Sequence, residues 1–272
     1  MIRSDARTLL LRDPLAAVET QDTYRAVRDW ALRGMGYGLG DHPDTSGERH
    51  VLGLLKLRTP DTVTPVVFDV GANVGEYAES AQREFCGTAA LYCFEPSAAA
   101  IAKLYERTQH GSEVLPIVGI YNFGLSDVTR EAPLHTEALG SGMASVYPRR
   151  LAHFGRSLGV EERASFRRLD DVCKEIRVAR IDLLKLDVEG HELAVLRGAG
   201  DMLTSGAIGM IQWEMGGCNL DSRTSFQDFW YVLSPHYDIS RIVSDGLAPV
   251  PRYDERDEVF VCSNFVAVWR TP

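Results

Sequence analysis

From Val66 onward the chain alternates between short apolar runs and amphipathic stripes. "VVFDV" is a continuous apolar run broken by Asp69 and followed by glycines, the pattern of a strand buried on both faces. "EYAESAQREF" places Tyr77, Ala81 and Phe85 at i, i+4 and i+8, a helical stripe. "ALYCFEP" reads as a second strand ending in Glu95 and Pro96. "SAAAIAKLYERTQ" reads as a helix with Ser97 as its N-cap. "VLPIVGIYNFGLSD" predicts a third strand with a polar exit, and "IDLLKLDVEG" a fourth. "HELAVLRGAGDML" predicts a helix ended by Gly198 or Gly200, and "IGMIQWEMGG" a fifth strand. "YDISRIV" and "NFVAVWR" have no helical pattern between them and should pair antiparallel. The alternation predicts a mostly parallel sheet with helices on both faces and right-handed crossovers.

The two ends of this rhythm differ. Residues 1–60 read as an N-terminal helical cap, with Tyr24, Val27, Trp30 and Ala31 on one face of "DTYRAVRDWALRGM". "GYGLGDHPDTSG" then interrupts any helix. Too few apolar residues lie here for an independent core, so residues 61–272 form the main domain. Residues 128–165 have glycines and mixed polarity with no clear period. An irregular insertion of that length is usually functional or mobile, and this one is a candidate lid.

Composition narrows the classes. The 272 residues are 45% hydrophobic, enough for a sizeable core. A formal charge of −9 argues against a duplex nucleic acid partner, which needs a concentrated basic face. No run approaches the ~20 apolar residues of a membrane span. The three-leucine run near the N-terminus is too short for a secretory signal, so a cytoplasmic location is expected. Cys86, Cys93, Cys173, Cys218 and Cys262 form no C-x-x-C pair and read as buried, reduced thiols.

Chemistry gathers at the predicted carboxyl ends of the strands, where open sheets of this kind bind ligands. In "DVGANVG", Gly71 and Gly75 would let the backbone turn tightly and approach a ligand, flanked by Ala72 and Asn73. Backbone N–H groups of the following helix would face the crevice. The dinucleotide pattern G-x-G-x-x-G is not met, because Asn73 holds the middle position. Asp69 precedes the turn, where it would repel a pyrophosphate and suit an ammonium. The competing reading is an ordinary turn with a polar cap. Glu95, 26 residues after Asp69, stands where an acid would accept from ribose hydroxyls. It could also merely cap the next helix. Adenosine, a cation and no pyrophosphate together describe S-adenosylmethionine. In "LLKLDVEGHE", Lys185 and Asp187 share one strand face, and Glu189, His191 and Glu192 crowd the exit. His191 is a candidate general base, with Asp187 or Glu189 orienting it or the acceptor. Asp187 and Glu214 could alternatively hold a divalent cation, although no clustered ligand spacing marks a metal site.

"FDVGANVGEYA", "FEP", "LSD", "LLKLDVEGHE" and "IQWE", in this order, resemble the FkbM family of S-adenosylmethionine-dependent O-methyltransferases, over roughly Val66 to Arg270. The resemblance implies a seven-stranded class I methyltransferase sheet, Rossmann-like, with its last strand inserted antiparallel. It implies cofactor contacts from Asp69 to Gly75, from Glu95 and Pro96, and from Leu125, Ser126 and Asp127. It implies a hydroxyl acceptor on a sugar, glycolipid or polyketide-type natural product, and leaves a homodimer open. A nicotinamide-dependent oxidoreductase and a non-catalytic nucleoside-binding module are the competing functions.

Overall fold

The computed structural model describes residues 18–38, 46–109 and 117–270. The N-terminal leucine run, part of "GYGLGDHPDTSG" and the "VLP" expected to start the third strand lie outside the described residues. Helix α1 (Gln21–Gly34) and α2 (Glu48–Arg58) precede the first strand. Then come β1 (Val66–Val70), α3 (Glu76–Phe85), β2 (Ala90–Phe94), α4 (Ala98–Gln109) and β3 (Ile117–Tyr121). A second group follows: β4 (Gly124–Ser126), β5 (Arg130–Thr136), β6 (Val160–Arg168) and α5 (Leu169–Glu175). The chain continues with β7 (Ile181–Leu186), α6 (Glu192–Gly198), β8 (Ile208–Met215), α7 (Cys218–Ser222) and α8 (Phe226–Leu233). It closes with β9 (Tyr237–Val243), β10 (Gly246–Pro249) and β11 (Ser263–Trp269).

The main sheet has the order β10-β9-β11-β8-β7-β1-β2-β3. β3, β2, β1, β7 and β8 are parallel, and β11 lies antiparallel between β8 and β9. This is the class I methyltransferase arrangement, and the β9–β10 hairpin adds an eighth strand at one edge. β1 alternates as a doubly covered strand must. Phe68 and Val70 join one core cluster with Leu184, Leu186 and Trp213, and Val67 joins the other with Leu91, Leu183 and Val266.

Val51, Leu52 and Leu55 of α2 belong to that second cluster, so this helix is part of the sheet's own core. α1 forms where a helix was expected and buries no residue; of the expected face Tyr24, Val27 and Ala31 are half-buried and Trp30 is 74% exposed. Its C-terminal end is anchored instead by Arg241 of β9, which donates to Met35 O and Tyr37 Oη and stacks over the Tyr37 ring. Cys86 is exposed and Cys262 half-buried, so only Cys93, Cys173 and Cys218 are the buried thiols expected. Ser97 does not act as a side-chain cap of α4. Its hydroxyl donates to Glu162, whose other oxygen accepts from Ala98 N at the helix start. None of the described helices is long and apolar enough to cross a membrane.

The expected irregular insertion contains two strands. β5 and β6 pair antiparallel, and β4 adds in parallel to β6, making a small second sheet. The predicted third strand is thus split, with β3 in the main sheet and β4 in the small one. Few β5 and β6 side chains are buried, so the segment lacks an apolar alternation.

Gly71 carries a structural constraint. Its φ is +79°, and a Cβ there would lie 1.8 Å from the Asp187 carbonyl oxygen. Gly71→Ala is expected to cost at least about 2 kcal/mol, through overpacking against backbone plus left-handed strain, and to lower Tm by several degrees. Gly53, inside α2, meets nothing within 4 Å. Gly53→Ala should therefore raise stability by up to ~1 kcal/mol from helix propensity alone. Thermal unfolding of the two variants checks both signs.

Candidate active site

The carboxyl ends of β1, β2 and β7 open on a cavity, at the place where open sheets of this kind bind ligands. Gly71, Asn73, Glu95, Pro96, Leu125, Asp187, Glu189 and His191 line it. The structure therefore brings together residues from all three sequence motifs.

Five other predicted residues lie behind the wall. Asp69 is fully buried and does not line the cavity. Lys185 Nζ sits 3.3 Å from its Oδ1 and 3.3 Å from Asp187 Oδ2. Burial opposes the Lys185 charge, but Asp69 and Asp187 hold its pKa well above the usual range. The carboxylate expected to meet a ligand ammonium is thus occupied by a protein ammonium. Ala72 and Ser126 are buried, Gly75 backs onto Leu104 of α4, and Asp127 receives the Ser126 hydroxyl.

The turn N–H groups are also committed. Gly71 N and Ala72 N both donate to Phe94 O, Gly75 N to Ala72 O, and Asn73 N to Glu95 Oε2. These four donors are therefore spent within the protein. What approaches Gly71 closely is the Asp187 carbonyl.

Glu95 keeps its place at the cavity. One oxygen accepts from Asn73 N at 3.0 Å and the other from Ser97 N at 2.8 Å. Each oxygen retains acceptor capacity. Burial pushes its pKa up to about 7, against the pull of the two N–H groups. Asn73 Oδ1 is buried with no hydrogen-bond partner.

The "DVEGHE" turn forms the opposite wall. Glu189 is left-handed at φ +52°, followed by Gly190 at +101°. Glu192 Oε1 accepts from Val188 N and Gly190 N, so this carboxylate staples the turn. Burial raises Glu192 to about 7 and Glu189 to about 8, the latter helped by Asp187 and opposed by Arg149. Burial, then Asp187 and Glu189, put Glu214 well above the carboxylate range. Among the described residues, no group of three or more His, Cys, Asp and Glu side chains is placed to hold a metal ion.

His191 is the N-cap residue of α6 and only 3% exposed. Burial lowers its pKa to about 4, and the Arg130 charge adds to the shift. The imidazole is neutral at physiological pH. Its Nε2 is 2.9 Å from Ser126 Oγ and its Nδ1 3.1 Å from Tyr147 Oη. The sequence reading missed several residues here. Leu134, Ala144, Val146 and Phe166, all from 128–165 or its flank, line the cavity. Arg149 pairs with Glu189 at 2.5 Å, and Ser145 Oγ donates to Glu189 O. Only the glycines and arginines of "GSGMASVYPRR" hinted at this, since contact partners 40 or more residues away leave no local period.

Residues 69–237 match the model of the methyltransferase FkbM domain. The hexuronic acid methyltransferase AglP of Haloferax volcanii is 29% identical over 167 residues, which cover 60% of this chain and 60% of AglP. The 2-O-methyltransferase NoeI of Sinorhizobium fredii is 30% identical over 173 residues, 57% of this chain and 64% of NoeI. The AMB antimetabolite synthetase AmbE of Pseudomonas aeruginosa is 31% identical over 171 residues, 50% of this chain and 8% of AmbE. The chain thus spans less than two thirds of each of these relatives. The crystal structure of methyltransferase FkbM from Methylobacillus flagellatus has a TM-score of 0.47 at 20% identity, covering 74% of this chain and 43% of that one. Because the domain model takes in the glycine turn, Glu95 and the whole "DVEGHE" wall, over more than half of the chain, the protein belongs to the FkbM family of S-adenosylmethionine-dependent methyltransferases.

Proposed function

We propose that the chain is an O-methyltransferase acting on a hydroxyl of a sugar, glycolipid or polyketide-type natural product. The observation that carries this reading is a neutral, buried imidazole, His191, in the same cavity that Glu95 rims. A hydroxyl is a poor nucleophile until its proton is removed, and a neutral imidazole can supply that base. The names of AglP and NoeI, a hexuronic acid methyltransferase and a 2-O-methyltransferase, support an oxygen-rich acceptor.

The cavity suits the cofactor. The free acceptor capacity of Glu95 fits two ribose hydroxyls, and Asn73 Oδ1 lacks a donor. The Asp187 carboxylate on the cavity wall favours a sulfonium and an ammonium over a pyrophosphate. A nicotinamide dinucleotide would also find the N–H groups of Gly71, Ala72, Asn73 and Gly75 already paired. In this proposal Asn73, Glu95, Pro96 and Leu125 hold the cofactor. Asp69, Gly71, Ala72 and Gly75 shape the turn from behind. When bound, S-adenosylmethionine supplies an electrophilic methyl group. Asp187 and Glu189 orient the acceptor, and His191 receives its proton. The segment between β5 and β6 covers the acceptor as a lid, latched by Arg149 on Glu189.

Glu95→Ala should weaken S-adenosylhomocysteine binding about tenfold or more, since a charge-assisted hydrogen bond is worth roughly 1.5–3 kcal/mol. The parent's affinity should also fall between pH 8 and pH 6, because below about 7 Glu95 is protonated and loses acceptor capacity. Calorimetry at both pH values tests both points, and a pH-independent parent would remove Glu95 from the ribose site. His191→Ala should lose at least about a hundredfold in kcat while its S-adenosylhomocysteine affinity stays within a few-fold. A variant as active as the parent would remove the histidine from the chemistry.

A further inference from the structure

The hydrogen bonds around His191 fix which ring nitrogen carries its proton. The Asp127 carboxylate can only accept, and Ser126 Oγ donates to its Oδ1 at 3.0 Å. Ser126 has one proton, so at its other contact it is the acceptor. His191 Nε2, 2.9 Å away, therefore carries the imidazole proton and donates it to Ser126. Nδ1 is left with the lone pair, and at 3.1 Å Tyr147 Oη donates to it. Both ring nitrogens are thus engaged, and neither has a lone pair free for a substrate hydroxyl. Tyr147 Oη, by contrast, keeps acceptor capacity after donating to Nδ1. Tyr147 is half-buried, follows the cavity-lining Val146, and lies with its ring 5.7 Å from the His191 ring.

We infer that Tyr147, supplied by the segment between β5 and β6, takes the acceptor's proton while passing its own to His191. This rests on the O-methyltransferase reading above. The acceptor O–H bond breaks as its oxygen bonds to the methyl carbon, and sulfur keeps the electron pair of the broken C–S bond. The released proton goes to Tyr147 Oη, and the phenolic proton goes to His191 Nδ1. Tyr147 is never left as a free phenolate, which its surroundings oppose, because burial and the Glu192 charge raise its pKa. The imidazolium that forms is disfavoured by burial and Arg130, and Asp127 favours it. Positive charge also leaves the sulfonium as it arrives on the ring, so the cavity's net charge does not rise. The groups facing this pair are Arg130, Asp127, Glu192 and Arg197. The lid residue and the base thereby form one unit, completed only when the segment is closed over the cavity.

The test has two arms, both on the full chain. In the first, long-range proton–nitrogen NMR is recorded on protein with 15N-labelled histidine and bound S-adenosylhomocysteine, with His191 assigned from His191→Gln. The expected spectrum is the Nε2–H tautomer, with an Nδ1 signal that moves when Tyr147 is replaced in Tyr147→Phe. An Nδ1–H tautomer, or an Nδ1 signal indifferent to Tyr147→Phe, overturns the relay. In the second arm, methyl-labelled S-adenosylmethionine is offered with a panel of pyranosides, uronic acids and polyketide alcohols. Tyr147→Phe keeps the ring and its packing, so Tm should hold while kcat falls about a hundredfold or more. Affinity for S-adenosylhomocysteine should stay within a few-fold. If His191→Ala is inactive and Tyr147→Phe equals or exceeds the parent, His191 acts directly and the relay is wrong. If both variants keep full activity, the underlying base reading fails instead.

Discussion

A buried ammonium between two carboxylates sets the geometry of the whole site. Lys185 and Asp69 face each other in register across the β1–β7 pair, and both are buried. An isolated charge there would be costly, and removing one partner of such a pair typically costs ~3–5 kcal/mol. The same ammonium reaches Asp187, the one partly exposed member, and so ties the core of the sheet to the cavity wall. The Tyr77 ring covers it at 5.0 Å, and Tyr77 Oη donates to Gln212, which donates to Glu48 of α2. One polar chain thus runs from the N-terminal helices to the strand ends. It brings the glycine turn and the "DVEGHE" turn close enough that only a glycine fits at position 71.

The walls that this brace supports are unusually acidic. Asp187, Glu189, Glu192 and Glu214 crowd one side, and burial raises the pKa of the three glutamates. Three of these carboxylates have separate tasks. Glu192 spends an oxygen on two backbone N–H groups, Glu189 holds Arg149 of the segment between β5 and β6, and Asp187 answers Lys185. Burial favours the neutral form of the glutamates, so the wall offers a ligand acceptor and donor oxygens more than net negative charge.

The small sheet built on β4, β5 and β6 completes the cavity. It contributes apolar lining through Leu134 and Phe166 and packs Phe166 edge-on against His191 at 5.9 Å. That packing dries the imidazole and keeps it neutral. Close contact of α6 with β4 holds the arrangement, since a Cβ at Gly198 would meet Ser126 O at 1.9 Å. The histidine, its serine and its aspartate are therefore positioned by two elements that touch each other directly.

The parallel sheet, its helices and the three strand-end motifs were legible in the residues, because periodicity and turn chemistry act over a few positions. That Glu95, Asn73, Asp187, Glu189 and His191 lie at the cavity was legible for the same reason: each lies at or just past the end of a strand. The accessibility of Asp69 was not legible, because its partner Lys185 is 116 positions away and only strand order makes them neighbours. The hairpin in 128–165 escaped detection because strands with mostly exposed side chains lack the apolar alternation that marks a strand. Tyr147 had no signal of its own, and Arg149 only the weak one of adjacent arginines in a glycine-rich stretch. Their roles come from contacts with residues 40 and more positions distant, and only the closed tertiary structure brings a loop hydroxyl to the lone pair of a buried ring.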